Sequence, residues 1–434
     1  MPRRWPTSWR STPGRADNPA LLDLREIRQD PEPARAALAR RGIDPAALDK
    51  ALELDERRRT ILPDLEELRR RKNEASKRIG EVQRAGGDAS EAIAEVREVS
   101  AREKELEGEL RSVEERRSAA LALLPNLPDE TAPLEDEVLR EEGRPGASGR
   151  SHVELLGPWL DLESAARVSG SRFAYLKGPL VRLELALVQW AIGLLEEKGF
   201  LPVVPPVLVR EQALFGTGML PDTEQQIYRI PEDELYLVGT SEVPLASLHG
   251  GEILAAGDLP RRYAGFSPCF RREAGAAGKD SQGIFRVHQF DKVEMFAFVE
   301  PEESRNEHER LLAIEEEILG ALELPYRVVN IAADDLGASA AKKYDLEAWL
   351  PGQERFRELT SCSNTTDFQA RRLDIRYRPG EGQGPRHVHT LNGTAVAVGR
   401  TIIAIVENHQ QDDGTIAIPG VLHAFGAPET IRAT

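Results

Sequence analysis

Apolar residues recur at intervals of three, four and seven along 54–82 and again along 92–124. This spacing is a heptad seam, by which two helices pack along their length. Gly86 and Gly87 separate the runs, so the pattern predicts two helices folded back as an antiparallel arm, each on the order of 50 Å long. Charged residues replace apolar ones at four seam positions, Arg58, Lys72, Glu103 and Arg117. Pro63 lies off the seam, but it removes a backbone donor and predicts a local kink.

The pattern changes on either side of this arm. Residues 21–41 predict a short helical lead-in, and LPNLPDETAP at 124–133 predicts a linker interrupted by prolines. Residues 135–149 are acidic and then rich in glycine, which predicts a mobile connection. Beyond them helical and strand patterns are mixed, as in an α+β domain. We therefore expect an arm domain at 21–130 and a larger domain at 131–434.

The first twenty residues differ from the rest of the chain. They are rich in arginine, serine, threonine and proline, which resembles the composition of an organellar transit peptide. The prolines, however, are incompatible with the amphipathic helix that such a peptide needs. Residues 1–20 are therefore expected to be a disordered extension, or the product of a start codon assigned too far upstream.

The stretch FSPCFRREAGAAGKDSQGIFRVHQFDKVEMFAFV at 266–299 predicts a strand, a long polar loop and a returning strand. On the returning strand Phe290 and Glu294 share one face, and apolar residues take the other. By the same period Arg271 and Glu273 share a face of the first strand. An arginine, an aromatic ring and a carboxylate on one side suit a purine nucleotide beside an ammonium group. An ordinary hairpin with solvated charges would show the same pattern.

Polar residues close two further predicted strands. LYLVGTSEV at 235–243 predicts a buried strand that places Thr240 and Glu242 on one face. A polar strand end is also predicted within ERFRELTSCSNTTDFQARR, where Glu358 and Ser361 stand close together. Carboxylate and hydroxyl oxygens at this spacing suit Mg²⁺ or phosphate, and they serve equally well to cap a strand.

Two other segments are informative. FLPVVPPVLV at 200–209 follows an amphipathic helix, and its prolines exclude it from the centre of a sheet, so it is expected to be an edge strand at an interface or a surface loop. Arg400 is the one charged residue between Thr394 and Glu407, in a run apolar enough to be buried. A buried guanidinium needs an anion, which could be a core carboxylate or a ligand phosphate. With Arg271, it could clamp a triphosphate.

Composition limits the possible partners and environment. The net charge of −16 at first argues against a polyanionic partner, but basic triplets recur on the first arm helix and favour a local phosphate contact. Cys269 and Cys362 are the only cysteines, so a disulfide framework is excluded and a reducing, intracellular setting fits. The sequence has no apolar run long enough to cross a bilayer.

The motifs together resemble a known family. FRRE with its loop and RVHQF resembles motif 2 of class II aminoacyl-tRNA synthetases, NGTAVAVGRTIIAIVEN resembles motif 3, and GFLPVVPPVLV resembles motif 1. The segments LVGTSEVPL, FRREAG, RVHQFDKVEMF, ELTSCSNTTDFQARR and TLNGTAVAVGRT, with the arm, are similar to the seryl-tRNA synthetase family. The similarity runs in uninterrupted order from about residue 21 to about residue 426.

This resemblance implies an antiparallel catalytic sheet of six or seven strands, a homodimer joined through motif 1 and a cytoplasmic ligase. It implies that serine reacts with ATP to form seryl-adenylate, and that serine then passes to the 3′ end of tRNA(Ser); charging of a selenocysteine tRNA is left open.

Catalysis would rest on Arg271, Arg400 and Glu358. Serine would be bound by Thr240, Ser241, Glu242, Arg271, Glu294 and Thr394. ATP would be bound by Arg271, Arg272, Glu273, Val287, Phe290, Glu358, Leu359, Thr360, Ser361 and Arg400, with Mg²⁺ on Glu358 and Ser361. The tRNA would lie along Arg69, Arg70, Arg71, Lys72, Lys77 and Arg78, and the glycine-rich loop of the hairpin would meet its end.

Two other functions fit parts of the sequence. A paralogue could activate an amino acid and load a different carrier, but relatives of that kind usually lack the long arm. An inactive synthetase fold could serve as a coiled-coil interaction protein, but Arg271, Glu294, Glu358 and Arg400 are all present. Serine-dependent exchange between ATP and pyrophosphate would separate the enzyme from the inactive fold.

Overall fold

The computed structural model describes residues 22, 24–221, 226–274, 280, 282–380 and 382–432. Within these residues the chain forms two compact units, 21–124 and 125–434. The predicted extension at 1–20 lies outside the described residues, as does most of the glycine-rich loop of the hairpin.

The first unit is helical. It consists of α1 (Leu24–Gln29), α2 (Glu32–Arg40), α3 (Ala46–Arg84) and α4 (Ser90–Ala122). At 1.5 Å per residue the two long helices extend about 58 Å and about 50 Å. Hydrogen-bonded helix continues through Pro63, and Gly86 takes a φ of +72° in the turn between α3 and α4. The heptad pattern therefore predicted this antiparallel pair correctly.

The seam between α3 and α4 combines apolar and charged contacts. Its apolar centre is formed by Leu54, Ile61, Leu65, Leu106 and Val113. The charged seam residues pair across the helices: Arg58 with Glu114 at 3.2 Å, Lys72 with Glu103 at 2.7 Å, and Arg117 with the buried Asp55 at 2.9 Å. These pairs satisfy charges at positions where the heptad has no apolar side chain.

The second unit is built around an eight-stranded sheet in the order β1-β11-β12-β13-β16-β10-β9-β4. Its strands are β1 (Glu137–Glu142), β4 (Leu201–Val203), β9 (Arg261–Phe270), β10 (Gln289–Val299), β11 (Tyr326–Asn330), β12 (Lys342–Leu350), β13 (Arg355–Asn364) and β16 (His389–Ala397). Every pair is antiparallel except β4 and β9, which run parallel. The expectation of six or seven antiparallel strands was therefore too small and missed this parallel pair.

The two edge strands test two sequence predictions. β4 lies at one edge, as the prolines of 200–209 predicted. At the other edge β1 pairs with β11, so the mobile connection predicted for 135–149 was wrong over Glu137–Glu142. Each residue of β1 is exposed, which explains why its sequence lacks a hydrophobic signal.

Short strands and helices complete the unit. The remaining strands are β2 (Leu160–Asp161), β3 (Tyr175–Leu176), β5 (Leu208–Arg210), β6 (Arg229–Ile230), β7 (Leu235–Leu237), β8 (Ile253–Ala255), β14 (Arg376–Arg378), β15 (Arg386–His387), β17 (Thr415–Ala417) and β18 (Thr430–Arg432). The helices are α5 (His152–Leu156), α6 (Leu162–Ser169), α7 (Pro179–Glu197), α8 (Glu211–Gly216), α9 (Glu242–Ser247), α10 (Ser304–Ala321), α11 (Phe368–Leu373) and α12 (Val398–Asn408).

Two bulges, one in β13 and one in β16, determine which residues of these strands share a face. Glu347 on β12 lies opposite Glu358 on β13, whereas Leu346 lies opposite Thr360, so Leu359 is the extra residue. On β16 the extra residue is Ala395, because Val293 of β10 lies opposite Val396 and the next residue, Glu294, lies opposite Thr394. A bulge inserts one residue and shifts the alternation of side chains beyond it. Residues three apart in sequence therefore share a face at both places.

Side chains divide between the two faces of the sheet as the period of two predicts for β10. Val293, Met295 and Val299 join the main core, which also contains apolar residues of α7, α10 and α12. Phe296 and Phe298 join a smaller core on the other face, with residues of α9 and α11. None of the described helices is long and apolar enough to cross a membrane.

Two predicted strands end earlier than expected. β9 ends at Phe270, so Arg271 and Glu273 lie beyond it, and Glu273 takes a φ of +50° instead of sharing a strand face with Arg271. The strand predicted for 235–243 is reduced to β7, which ends at Leu237. Thr240 lies in the turn that follows, and Glu242 begins α9. Glu358 and Ser361 lie well inside β13, so the predicted polar strand end was also misplaced.

Candidate active site

A cleft of about 380 Å³ opens over the central strands. It gathers most of the residues singled out in the sequence: Thr240, Glu242, Arg271, Glu273, Val287, Phe290, Glu294, Glu358, Leu359, Thr360, Ser361, Thr394 and Arg400. These residues come from the turn between β7 and α9, the hairpin of β9 and β10, β13, β16 and the start of α12. The cleft therefore exists only once the sheet has assembled.

Arg400 lines the cleft from the first turn of α12. Its guanidinium donates to the Glu358 main-chain oxygen at 2.9 Å and lies 3.3 Å from the Glu358 carboxylate. The guanidinium also lies over the Phe285 ring, 4.6 Å from its centroid. Arg400 is half-buried rather than fully buried, and the anion that it meets is Glu358. The Glu358 side chain remains 42% exposed, so both charges still face the cleft.

Arg271 also lines the cleft, just beyond the end of β9. Its Nε donates to the Gly239 main-chain oxygen at 3.1 Å, and its guanidinium lies 5.3 Å from the centre of the Phe290 ring. The backbone of Arg271 is held at the base of the hairpin, where its N–H donates to the His288 oxygen at 3.0 Å. The Arg271 guanidinium therefore lies over the aromatic face of Phe290, so a cation and an aromatic ring meet at one place in the cleft.

Glu273 is held by Arg286, which lies where the hairpin loop returns to β10. Arg286 donates to the Glu273 carboxylate at 2.7 Å, and both side chains line the cleft. The pKa of Arg286 is raised above its usual value, first by its hydrogen bond with Glu273. This ion pair joins the two strands of the hairpin just beyond their last paired residues.

The deepest part of the cleft contains a lysine that the sequence analysis missed. Lys292 is buried, forms an ion pair with the buried Glu294 and donates to the Thr240 hydroxyl at 2.7 Å. Burial raises the pKa of Glu294, and the Lys292 charge opposes that rise. The period of two could have identified Lys292, because it lies on the same strand face as Phe290 and Glu294.

Glu242 is fixed by two amides that were also missed. Its Oε1 accepts from Gln369 at 2.7 Å and from Asn392 at 3.0 Å. Burial, followed by the nearby Glu294 charge, raises the pKa of Glu242 to about 7. No local pattern links these amides to Glu242, because Gln369 lies on α11 and Asn392 on β16.

The bulge at Leu359 brings Glu358 and Ser361 to the same side of β13. Burial alone would raise the pKa of Glu358, but Arg400, Lys343 and Arg271 outweigh it and the pKa is lowered, so the carboxylate is ionised. An ionised carboxylate and a hydroxyl are suitable Mg²⁺ ligands. No group of three or more His, Cys, Asp or Glu residues within the described residues could hold a metal ion. A Mg²⁺ ion here would therefore need oxygens from a substrate as well.

Four candidate residues have side chains that do not point freely into the cleft. Leu359 belongs to the main core, and Thr360 is buried beside Glu315. Ser241 is fully buried, and its hydroxyl donates to the Gly265 main-chain oxygen at 3.4 Å. Arg272 is exposed outside the cleft lining, and its N–H donates to Gln226. Their roles in serine or ATP binding stay predictions.

The basic residues predicted to contact tRNA are exposed on α3, and most are already paired with glutamates. Arg69 lies 2.9 Å from Glu107, Arg70 lies 2.6 Å from Glu67, Arg71 lies 3.7 Å from Glu95, Lys72 lies 2.7 Å from Glu103, and Arg78 also pairs with Glu95. Lys77 is the member of this set that no described carboxylate contacts. Surface pairs of this kind are weak, so a polyanion could displace the glutamates.

Comparisons with known proteins decide the family. A model described as the seryl-tRNA synthetase N-terminal domain matches residues 21–128, and one described as the tRNA synthetase class II core domain (G, H, P, S and T) matches residues 226–409. A serine–tRNA ligase of Acidothermus cellulolyticus is 48% identical over 422 residues, which cover 95% of this chain and 99% of that protein. The chain belongs to the seryl-tRNA synthetase family.

Solved structures of the family agree in fold. The seryl-tRNA synthetase of Pyrococcus horikoshii complexed with ATP has a TM-score of 0.90 and 43% identity, covering 95% of this chain and 100% of that one. The cytoplasmic serine–tRNA ligase of Naegleria fowleri in complex with AMP has a TM-score of 0.82 and 33% identity, covering 93% and 96%.

Membership of the seryl-tRNA synthetase family establishes the reaction. The chain is an ATP-dependent ligase that activates L-serine as seryl-adenylate and transfers serine to tRNA(Ser). Its fold is a class II synthetase core with an N-terminal helical arm. The resemblance inferred from the motifs is therefore confirmed for the family, the fold class and the reaction.

Proposed function

We propose that the cleft binds ATP between its two arginines. Arg271 would hold the α-phosphate and Arg400 the γ-phosphate, while Phe290 stacks on the adenine. Glu273 and the backbone near Val287 would contact the base. The observation that carries this proposal is that Arg271 and Arg400 line the same cleft, together with the Phe290 ring. The ATP complex of the relative from Pyrococcus horikoshii supports it.

Mg²⁺ fits the Glu358 and Ser361 side of this site. The Glu358 carboxylate and the Ser361 hydroxyl would hold the ion together with phosphate oxygens, as is usual for Mg²⁺ in nucleotide sites. When bound, Mg²⁺ would neutralise part of the charge on the phosphates. Arg400 then has a second function, because it orients Glu358 through their 3.3 Å contact.

L-serine would bind in the deep part of the cleft, with its carboxylate toward Arg271. Glu294, Thr240 and Thr394 offer acceptors for its ammonium and side-chain hydroxyl. Glu242 would act from behind them, through Asn392, and Ser241 would support the turn that carries Thr240. A pocket built to hydrogen-bond a hydroxyl discriminates strongly against alanine, because the buried partners would be left unpaired.

The chemical step needs no protein nucleophile. The serine carboxylate attacks the α-phosphorus in line, its oxygen–phosphorus bond forms, and the bond to the pyrophosphate leaving group breaks. Arg271 stabilises charge at the α-phosphate and Arg400 holds the leaving group, so positioning and electrostatics would supply the acceleration. The terminal ribose hydroxyl of the tRNA then attacks the acyl carbon and releases AMP.

The arm would hold tRNA(Ser) through its phosphate backbone. Its basic residues project from a compact helical unit, and sequence-independent contacts from Arg and Lys position an RNA without reading its bases. The glutamates now paired with them would be replaced by phosphates.

Two further properties complete the proposal. A homodimer would bury the exposed apolar residues near motif 1, where Leu185 is 56% exposed, Leu201 is 60% exposed and Val204 is 81% exposed. A cytoplasmic location would suit Cys269 and Cys362, which are both free and buried.

Serine-dependent exchange of pyrophosphate into ATP tests the site. We expect exchange with serine, much less with threonine or alanine, and a sharply raised KM for ATP in Arg400→Ala. Arg140→Ala is a matched control, because Arg140 lies on the edge strand β1, pairs with Glu316 of α10 and does not line the cleft. An unchanged KM for ATP in Arg400→Ala, with lower stability alone, would mean that Arg400 serves only the fold.

A further inference from the structure

Glu407 and His152 form a buried pair outside the cleft. His152 Nδ1 lies 2.9 Å from Glu407 Oε1, and both side chains are almost completely buried. The same oxygen accepts the His152 main-chain N–H at 2.9 Å. Glu407 Oε2 accepts the N–H of Gly352 at 2.9 Å. One carboxylate therefore joins α12, the start of α5 and the turn between β12 and β13.

The far side of the His152 ring contacts the hairpin loop where it returns to the sheet. The Ile284 N–H donates to His152 Nε2 at 3.3 Å. Because Nε2 accepts this hydrogen bond, the ring proton must lie on Nδ1, which faces Glu407. The carboxylate thus selects the tautomer that holds the loop.

Gly283 shows how closely the ring fits this loop. A Cβ at position 283 would lie 1.8 Å from His152 Nε2, and Gly283 takes a φ of +72°. Both the space and the backbone conformation require glycine here. The loop is therefore shaped to the histidine rather than merely passing near it.

One residue separates this contact from the ATP-binding arginine. Phe285 follows Ile284; its ring lies under the Arg400 guanidinium, and its main-chain oxygen accepts from Arg400 Nε at 3.4 Å. Arg400 and Glu407 are on the same helix, so α12 holds the returning loop at two places, directly through Arg400 and indirectly through Glu407 and His152. Two consecutive residues of the returning loop, Ile284 and Phe285, are therefore held by the same helix.

We infer that His152, oriented by Glu407, is a positioning residue for the triphosphate end of the ATP site. It acts through the backbone of Ile284 and Phe285 and touches neither substrate. The serine end of the cleft is built from Thr240, Lys292 and Glu294, none of which this network contacts. The inference rests on the proposed role of Arg400. It predicts that loss of the His152 contact raises the KM for ATP and leaves the KM for serine nearly unchanged.

Two substitutions of His152 separate positioning from general stability. His152→Gln retains an acceptor near the Nε2 position, whereas His152→Asn retains a donor near Nδ1 and loses the contact with Ile284. We expect His152→Asn to raise the KM for ATP about tenfold, with the KM for serine changed less than about twofold. His152→Gln should recover most of the ATP affinity. His409→Asn is the matched control, because His409 anchors the same end of α12 to the Leu322 oxygen without contacting the loop.

A double-mutant cycle with Gly283→Ala tests the contact directly. The added methyl group should raise the KM for ATP strongly in the wild-type background. In His152→Ala the ring is gone and only the strain of the φ of +72° remains, so the rise should be clearly smaller. Equal effects in both backgrounds would overturn the inference, as would KM values for ATP and serine that rise together. If Arg400→Ala also left the KM for ATP unchanged, the proposed ATP site itself would be wrong. If Arg400→Ala raised the KM for ATP and His152→Asn did not, only the positioning role of His152 would be rejected.

Discussion

The Lys292 ammonium group donates a 2.7 Å hydrogen bond to the Thr240 hydroxyl and pairs with the Glu294 carboxylate. Lys292 thus occupies the acceptors that would receive the ammonium group of serine, and its cation balances a carboxylate that is only 2% exposed. Removing one partner of a buried ion pair leaves the other charge uncompensated, which is more costly than replacing both.

Lys292→Met should therefore destabilise the protein by about 3 kcal/mol in the absence of serine, because the Glu294 charge would be left buried without its cation. Urea unfolding of the single variants and of the Lys292→Met/Glu294→Gln double variant measures the coupling, and the double variant should lose less than the sum. Lys198→Met is the control, because its pair with Glu317 lies at the surface. Additive losses would mean that the two charges do not depend on each other.

Glu358→Gln should raise the Mg²⁺ concentration required for serine-dependent exchange. The substitution keeps the shape of the side chain, removes the negative charge that the metal needs and leaves Arg400 its main-chain acceptor. Titration of Mg²⁺ at fixed ATP measures the shift, for which we expect about tenfold. Glu347→Gln, directly opposite on β12, should leave the titration unchanged, since Glu347 pairs with Arg327. Identical curves for Glu358→Gln and the wild type would remove Glu358 from the metal site.

Shortening the arm should separate the two half-reactions. Because Arg58 faces Glu114 across the seam, Ile61 and Arg111 stand opposite each other, and residues 62–110 can be replaced by a short Gly-Ser turn. We expect tRNA charging to be lost and serine-dependent exchange to stay within about twofold, since the arm forms its own compact unit. The double variant Arg97→Ala/Lys104→Ala on α4 is the control and should charge nearly normally. Efficient charging by the shortened protein would contradict the role given to α3.

The stability of the ligand-free protein should fall as the pH rises from about 4.5 to about 7, in part because of Glu242. Its pKa is raised from 4.5 to about 7, so the folded protein binds this proton more tightly than the unfolded chain does. The stabilisation is complete below about pH 4.5 and is lost by about pH 7, on the order of 3 kcal/mol. Glu242→Gln should flatten this part of the curve in urea unfolding measured between pH 5 and 8. The exposed Glu197→Gln should not, and an equal slope in both would assign the pH dependence to other groups.

The parts of the fold that sequence predicted are those controlled by local periodicity. The heptad spacing identified α3, α4 and the positions of Arg58 and Lys72, because a helix pair repeats its contacts every seven residues. The period of two assigned Phe290 and Glu294 to one face of β10, because each strand of a sheet has two sides. The structure shows both the helix pair and the shared strand face as predicted.

The remaining features depend on distant parts of the chain. The anion of Arg400 could not be chosen from the sequence, because Glu358 comes 42 residues earlier and meets it only through the pairing of β13 with β16. Gln369 and Asn392 meet Glu242 for the same reason. β1 was missed because an exposed edge strand needs no apolar alternation. Tertiary structure, rather than local propensity, decides each of these.

The bulges at Leu359 and Ala395 have a consequence for how this chain can vary. Both extra residues are buried in the main core. Because of each of them, residues on either side of the bulge that are an odd number of positions apart share one face of the strand. Substituting either with a residue of similar size keeps the number of residues in the strand. Deleting either would turn the polar side chains on one side of the bulge inward and bury them. The site therefore depends on the parity of the number of residues in β13 and β16. Insertions and deletions there should be excluded from functional variants even where substitutions are tolerated.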